Sequence, residues 1–306
     1  METRTDRREF FTQASALAMA FAGGTLATRQ AQAASPLNRT CPSHIKLSMA
    51  AYSFRQYLTA KENPMTLFDF IDLCADLRLD GTELTCYYFP QNPTPEYFAQ
   101  IKRRAFLEGL DISGTAVSNH FALPAGKERD AQIAYVKKWV DHAAAMGAGS
   151  IRVYSGSVPK GSTLEEAQRW CAECFEETCA YAGERGIFLA LENHGGISVD
   201  ADRLLALREK VKSPWFGLLL DTGNFRTEDP YKDMERIAPY VVSVQCKTDV
   251  TPKSGKTQPM DYDRVVGILR QAKYSGYIAL EYEAREDPKT GVPKAIEELR
   301  KAVSKA

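Results

Sequence analysis

Four apolar runs in the second half of this 306-residue chain end in residues able to do chemistry. The run 188–191 leads into Glu192-Asn193-His194, and 216–220 leads into Asp221-Thr222-Gly223-Asn224. The run 241–244 leads into Gln245-Cys246-Lys247, and 277–280 into Glu281-Tyr282-Glu283. A carboxylate flush against a buried apolar strand is costly unless paired or ligated, and three at neighbouring strand ends repel one another. Something positive is therefore expected among them. The carboxylates of Glu192, Asp221 and Glu281 with the amide oxygen of Gln245 form a hard, oxygen-rich set. Such a set suits Mg²⁺ or Mn²⁺, with Co²⁺ or Zn²⁺ as alternatives and His194 placed to shift the balance. The competing reading is that each carboxylate caps a helix or pairs with a basic residue.

A divalent cation chelated by a carbonyl and its adjacent hydroxyl would stabilise the enediolate formed when the α-proton leaves. Two carboxylates on opposite sides of that plane can then remove and return the proton. The product would be an epimer or an aldose/ketose isomer. With a leaving group β to the carbonyl, the same chemistry eliminates.

Several further residues end strands or follow them. His194 is read as a support for the cation site or a substrate hydrogen-bonding group. Lys247 shares a strand face with Gln245, because strand side chains alternate, and so reaches the same mouth. Glu83, His120 and Arg152 end the second, third and fourth runs and are candidates for lining a sugar pocket, each with a purely structural role as the alternative. Glu283 is an alternative to Glu281 on the same face. Tyr52, Phe54, Tyr87, Tyr88, Phe89, Phe121 and Tyr154 cluster near the first four mouths, where they would either stack on a sugar or pack the core.

The elements that must position these groups follow a strand-then-helix rhythm from residue 45 onward. The apolar runs are 45–51, 81–84, 112–117, 150–153, 188–191, 216–220, 241–244 and 277–280, several of them continuous, as strands buried on both faces are. Amphipathic stretches at 65–77, 95–108, 129–146, 164–185, 202–211 and 262–272 predict helices between them. Gly109, Gly147, Gly186 and Gly276 stand where helix C-cap glycines belong. Eight such units predict an α/β fold, a single-domain (β/α)8 TIM barrel over residues 34–306. No GxGxxG or GxxxxGK[ST] loop follows the first strand, which argues against a doubly wound nucleotide-binding sheet.

Thirty-nine basic and thirty-nine acidic residues give a net charge of zero, which disfavours a nucleic-acid partner. Residues 1–33 read as an export signal: Arg7-Arg8 before Glu9-Phe10-Phe11, a weakly apolar run from Ala14 to Ala27, and Ala31-Gln32-Ala33 as a cleavage site. The pattern resembles a twin-arginine signal, giving a periplasmic or extracellular mature protein with no membrane span. Seven cysteines are an odd number, so at least one stays unpaired, and Cys171, Cys174 and Cys179 are read as buried small hydrophobes.

Residues 189–194 (LALENH), 220–224 (LDTGN) and 278–283 (IALEYE) resemble motifs of the xylose isomerase-like TIM barrels, which include tagatose epimerases and hydroxypyruvate isomerases. The resemblance covers residues 45–303. It implies a metal held by Glu192, Asp221, Gln245 and Glu281, with both glutamates as the acid/base pair. It also implies a small carbohydrate substrate, and a homo-oligomer of the kind family members often form. Gln245 stands where many members carry His, which tilts the preference toward harder metals. Asn224 stands where the epimerases often carry a substrate-binding His, so the sugar is left open. The leading expectation is a metal-dependent sugar or keto-sugar isomerase/epimerase. The alternatives are a lyase or dehydratase on keto-sugars or cyclitols, and a non-catalytic periplasmic sugar-binding barrel.

Overall fold

The computed structural model describes residues 36–305; the export-signal reading of residues 1–33 lies outside them. Eight parallel strands form the inner wall: β1 (Ile45–Met49), β2 (Gly81–Thr85), β3 (Asp111–Ala116), β4 (Ser150–Val153), β5 (Phe188–Glu192), β6 (Phe216–Asp221), β7 (Val241–Cys246) and β8 (Gly276–Leu280). Neighbours in sequence are neighbours in space, and β8 returns to pair with β1. Between β1 and β2 the wall is completed by one parallel bridge, Ala50 to Glu83. This is the (β/α)8 barrel that the rhythm of the sequence predicts.

Each strand is followed by a helix packed outside the wall: α1 (Leu67–Asp76), α2 (Pro95–Leu107), α3 (Lys127–Met146), α4 (Leu164–Gly183), α5 (Ala201–Lys210), α6 (Pro230–Ile237), α7 (Tyr262–Gln271) and α8 (Pro288–Ser304). Seven of the eight begin at a Thr or Asp whose side chain accepts from a backbone N–H of the first turn, satisfying a donor the helix itself leaves open. α1 and α4 carry full capping boxes, Thr66 with Asp69 and Thr163 with Glu166. Helices α6 and α8 are absent from the periodicity reading above. Their signal was the Asp-Pro pairs at 229–230 and 287–288, an N-cap followed by a Pro at the first helical position.

The continuous apolar strands behave as buried ones: Leu189, Leu191, Leu218, Leu220 and Ile278 are shielded completely. At about 1.5–3 kcal/mol per fully buried aliphatic side chain, this layer is what makes polar residues at the strand tips affordable. Gly147 takes the left-handed C-cap of α3 at φ 85°. Gly276 does not cap α7; the left-handed residue there is Lys273, and Gly276 opens β8 at φ 150°. All seven cysteines are free, with Cys171, Cys174 and Cys179 on the buried face of α4 as expected. No helix among the described residues is long and apolar enough to cross a membrane.

Candidate active site

At the C-terminal mouth of the barrel lies a cavity of about 260 Å³ whose lining includes Glu192, Gln245, Lys247 and Glu281. Strand pairing sets the positions. Asp221 ends β6 directly opposite Gln245 on β7, and the Glu281 N–H donates to the Cys246 carbonyl, carrying the β7–β8 alignment one residue past the strand. The Asn193 side chain extends the β5–β6 pairing by donating to the Asp221 carbonyl at 2.9 Å and accepting from its N–H at 2.8 Å. Asn193 is a positioning residue that the reading of strand-end charges passed over.

The carboxylates have found cations within the chain. Glu192 Oε2 accepts from Arg152 at 2.8 Å, both side chains being nearly inaccessible, and Glu192 Oε1 accepts from the Asn224 amide at 2.8 Å. Arg152 also donates to the hydroxyls of Tyr87 and Tyr154. Lys247 Nζ stands 2.5 Å from Glu281 Oε2 and 3.1 Å from both Asp221 Oδ2 and Glu283 Oε2. Burial opposes the charge on Lys247, but these carboxylates prevail and hold its pKa far above the ordinary lysine value. Burial likewise resists ionisation of Glu281, yet Lys247 holds that carboxyl below the usual range. Asp221 shifts the other way, raised well above the ordinary aspartate value chiefly by burial, with Lys247 only partly offsetting it. The positive partner expected among the strand-end acids is thus supplied in part by Arg152 and Lys247.

Glu83 is brought into the same ring from β2. It accepts from Gln245 Nε2 at 2.5 Å, and burial pushes its carboxyl up to about 7. That bond turns the other end of the Gln245 amide away from Glu83, leaving Oε1 buried with no donor. Asp221 shows the same asymmetry: Oδ1 accepts from the Gly223 N–H at 2.8 Å, while Oδ2 has no directed hydrogen bond despite its closeness to Lys247. A Cβ on Gly223 would come within 2.7 Å of Lys247 Cδ and 3.1 Å of the Asp249 carbonyl, so the lysine lies in a groove that only glycine leaves open.

Not every expected residue is gathered. His120 stands apart, its ring against the backbone of Ser157, in a neighbouring cavity. His194 is exposed at the rim with its ring 4.3 Å from that of Tyr154, and borders both cavities. Of the aromatic cluster, Tyr52, Tyr87 and Tyr154 line the mouth, whereas Phe54, Phe89 and Phe121 are core. Glu283 joins Glu281 at Lys247 rather than replacing it.

The sequence profile of a family described as the xylose isomerase-like TIM barrel matches residues 71–302. The chain belongs to that family. Solved structures of the same fold include a xylose isomerase domain protein from Planctomyces limnophilus, with 18% identity, TM-score 0.64, and 87% of this chain and 99% of that one covered. The 3-keto-D-glucoside 4-epimerase of E. coli is similar at 13% identity and TM-score 0.67, over 85% of this chain and 99% of that one. The D-psicose 3-epimerase of Clostridium cellulolyticum H10, solved with D-tagatose, is similar at 14% identity and TM-score 0.68, over 84% and 99%. No protein of curated function matches the sequence itself.

Among the described residues of this xylose isomerase-like barrel no three His, Cys, Asp or Glu side chains gather as a ready-made metal cluster, but the mouth offers a divalent cation two features of its own. The buried Gln245 Oε1 has no donor, the buried Asp221 Oδ2 has only the ion pair with Lys247 at 3.1 Å, and both are hard oxygens at paired positions on adjacent strands. With Asp221 ionised, the carboxylates of Glu192, Asp221, Glu281 and Glu283 exceed the cations Arg152 and Lys247 by two charges, which one divalent ion would neutralise.

Proposed function

We propose that the protein is a divalent-metal-dependent isomerase or epimerase of a sugar or keto-sugar, working by proton transfer at the carbon next to a carbonyl. The observation that carries this reading is the pair of buried oxygens without a directed hydrogen bond, Asp221 Oδ2 and Gln245 Oε1, in and beside a cavity lined by Glu192 and Glu281. The family relation and the epimerases of the same fold support it.

Glu192, Asp221, Gln245 and Glu281 would hold the cation, which when bound supplies polarisation of the carbonyl and neutralisation of developing negative charge. Glu281, kept ionised by Lys247, accepts the α-proton. Glu192, oriented through its two oxygens by Arg152 and Asn224, returns a proton from the other face. Arg152 and Lys247 remain within the same low-dielectric mouth and offset the charge left on the substrate. Tyr52, Tyr87 and Tyr154 offer ring faces and hydroxyls to the sugar. The proposal keeps export by the twin-arginine route, with action on an unphosphorylated carbohydrate outside the cytoplasm.

The test of the cation site is calorimetric titration of Mn²⁺, Mg²⁺, Co²⁺ and Zn²⁺ into EDTA-treated protein. One ion per chain is expected, with binding weakened about a hundredfold or more in Asp221→Asn and in Gln245→Leu. Tight binding that survives both substitutions would place the ion elsewhere and remove the basis of the reading.

A further inference from the structure

The side-chain amide of Asn193 ties the loop after β5 to the backbone of Asp221 at the end of β6, and the barrel carries the same device after β3. Asn119, three residues past β3, donates from Nδ2 to the Tyr154 carbonyl and accepts at Oδ1 from the Tyr154 N–H, both at 2.8 Å. Its side chain continues the β3–β4 pairing, whose last backbone bond is the Val117 N–H on the Arg152 carbonyl at 3.0 Å. Asn119 is 5% exposed, so both bonds are made away from water, where they are stronger. At Asp221 the device fixes an acid of the mouth. At Tyr154 the residue it fixes is a phenol.

The Tyr154 hydroxyl is engaged inward. It accepts from Arg152 Nη1, whose other acceptor is Glu192 Oε2 at 2.8 Å, and the Arg152 guanidinium carbon lies 4.1 Å from the centre of the Tyr154 ring. Arg152 Nη2 donates to the Tyr87 hydroxyl at 3.2 Å, and its Nε is buried without an acceptor. Apart from Glu192 itself, two phenols therefore place the guanidinium. They are unequal partners: Tyr87 is 44% exposed in a short turn after β2, whereas the backbone of Tyr154 is locked by Asn119. A guanidinium is a rigid fork, so holding one nitrogen fixes the direction of the others. Among the described residues, Arg152 is the donor to Glu192 Oε2, and its direction decides where that oxygen points. The backbone of Glu192 is held separately, by Ser198 Oγ donating to its carbonyl at 3.1 Å and Ser155 Oγ donating to Ser198 Oγ at 3.0 Å. Loss of the Tyr154 hydroxyl would thus turn the carboxylate without moving the strand end.

We infer that Asn119 and Tyr154 are positioning residues for Glu192. Asn119 locks Tyr154, the Tyr154 hydroxyl takes one N–H of Arg152, and the guanidinium held in this way sets the direction of Glu192 Oε2 in the mouth. Tyr154 acts here through its hydroxyl, not through its ring. The inference rests on the reading of Glu192 as cation ligand and proton donor given above, and adds to it the two residues that aim the carboxylate.

The test compares Tyr154→Phe, which keeps the ring, with Asn119→Ala and with the two combined. In metal-free protein the carboxyl carbon of Glu192 is followed by NMR, its signal identified by its loss in Glu192→Gln. That signal is expected to shift in Tyr154→Phe, and to shift to the same place in Asn119→Ala and in the double variant. Mn²⁺ affinity, measured by calorimetry, is expected to fall about tenfold or more in either single variant, the usual effect of removing a support behind a ligand. The double variant should lose no more than the worse single one, because both changes act on one carboxylate. A Glu192 signal unmoved in every folded variant, or affinity losses that multiply in the double variant, would overturn the inference. The two single variants act on different bonds, so one that fails to fold leaves the other to decide. A parent that binds no Mn²⁺ while the Glu192 signal shifts as expected would remove the cation reading and leave the positioning standing; Mn²⁺ binding with an unmoved signal would do the reverse.

Discussion

Lys247 Nζ donates to Glu281 Oε2 at 2.5 Å, so β7 delivers the neutral oxygen of Gln245 and the residue just past its end supplies the cation that holds the last acid of the ring ionised. Strand alternation alone puts the two side chains on one face. The same ammonium reaches Asp221 and Glu283, which makes it the chief internal counter-charge on that side of the mouth.

Replacing Lys247 by Met removes one member of a buried ion cluster and leaves three acids facing one another. The loss expected in the metal-free protein is about 3–5 kcal/mol. Added Mn²⁺ should restore much of it by binding the folded state. Thermal melts of Lys247→Met with EDTA and with Mn²⁺ check this. A variant as stable as the parent in EDTA would mean that the acids carry no net charge there.

Glu83 makes the metal-free protein pH-sensitive. Its carboxyl titrates near 4.5 when unfolded and at about 7 when buried, so the folded state binds the proton more tightly. The resulting stabilisation is full below about pH 4.5 and is lost as pH rises through about 7, a change of roughly 3 kcal/mol. Denaturant titrations of EDTA-treated protein between those limits should show this decline, and Glu83→Gln should flatten it. Parallel pH slopes in parent and variant would contradict the assignment.

Gly223→Ala tests the groove that holds Lys247. The added methyl must displace the lysine stem or the Asp249 carbonyl, at a cost of about 1–3 kcal/mol. With Lys247 shifted away, turnover should fall about tenfold or more while the barrel still folds. Unchanged stability and rate would mean that the loop yields freely.

Asn193→Ala removes both side-chain hydrogen bonds that hold the Asp221 backbone. A loss of about 1–3 kcal/mol is expected from the buried groups left unpaired. Metal affinity should fall with it, because Asp221 is no longer fixed. Retained affinity would separate Asn193 from the site.

The barrel was legible because its strands are continuous apolar runs and its helices are amphipathic, two periods that a single sequence displays openly. Strand ends placed Glu192, Asp221, Gln245, Lys247 and Glu281 in one cavity lining or beside it, since the tips of neighbouring barrel strands must converge. What periodicity could not convey was the pairing among side chains. That Arg152 would meet Glu192, forty residues away, depends on the register of β4 against β5, and that Gln245 would turn its amide to Glu83 depends on closure of the sheet. His120 went astray for a related reason: four residues past its strand, a loop direction decides which cavity a side chain enters.

The most direct test of the account follows solvent deuterium into keto-sugars at the carbon beside the carbonyl, using Mn²⁺-loaded protein and its Glu192→Gln and Glu281→Gln variants. The account predicts exchange by the parent and a loss of about a hundredfold or more in each variant, with the fold and sugar binding kept. Sugar binding without any exchange by the parent, or exchange undiminished in both variants, would contradict it.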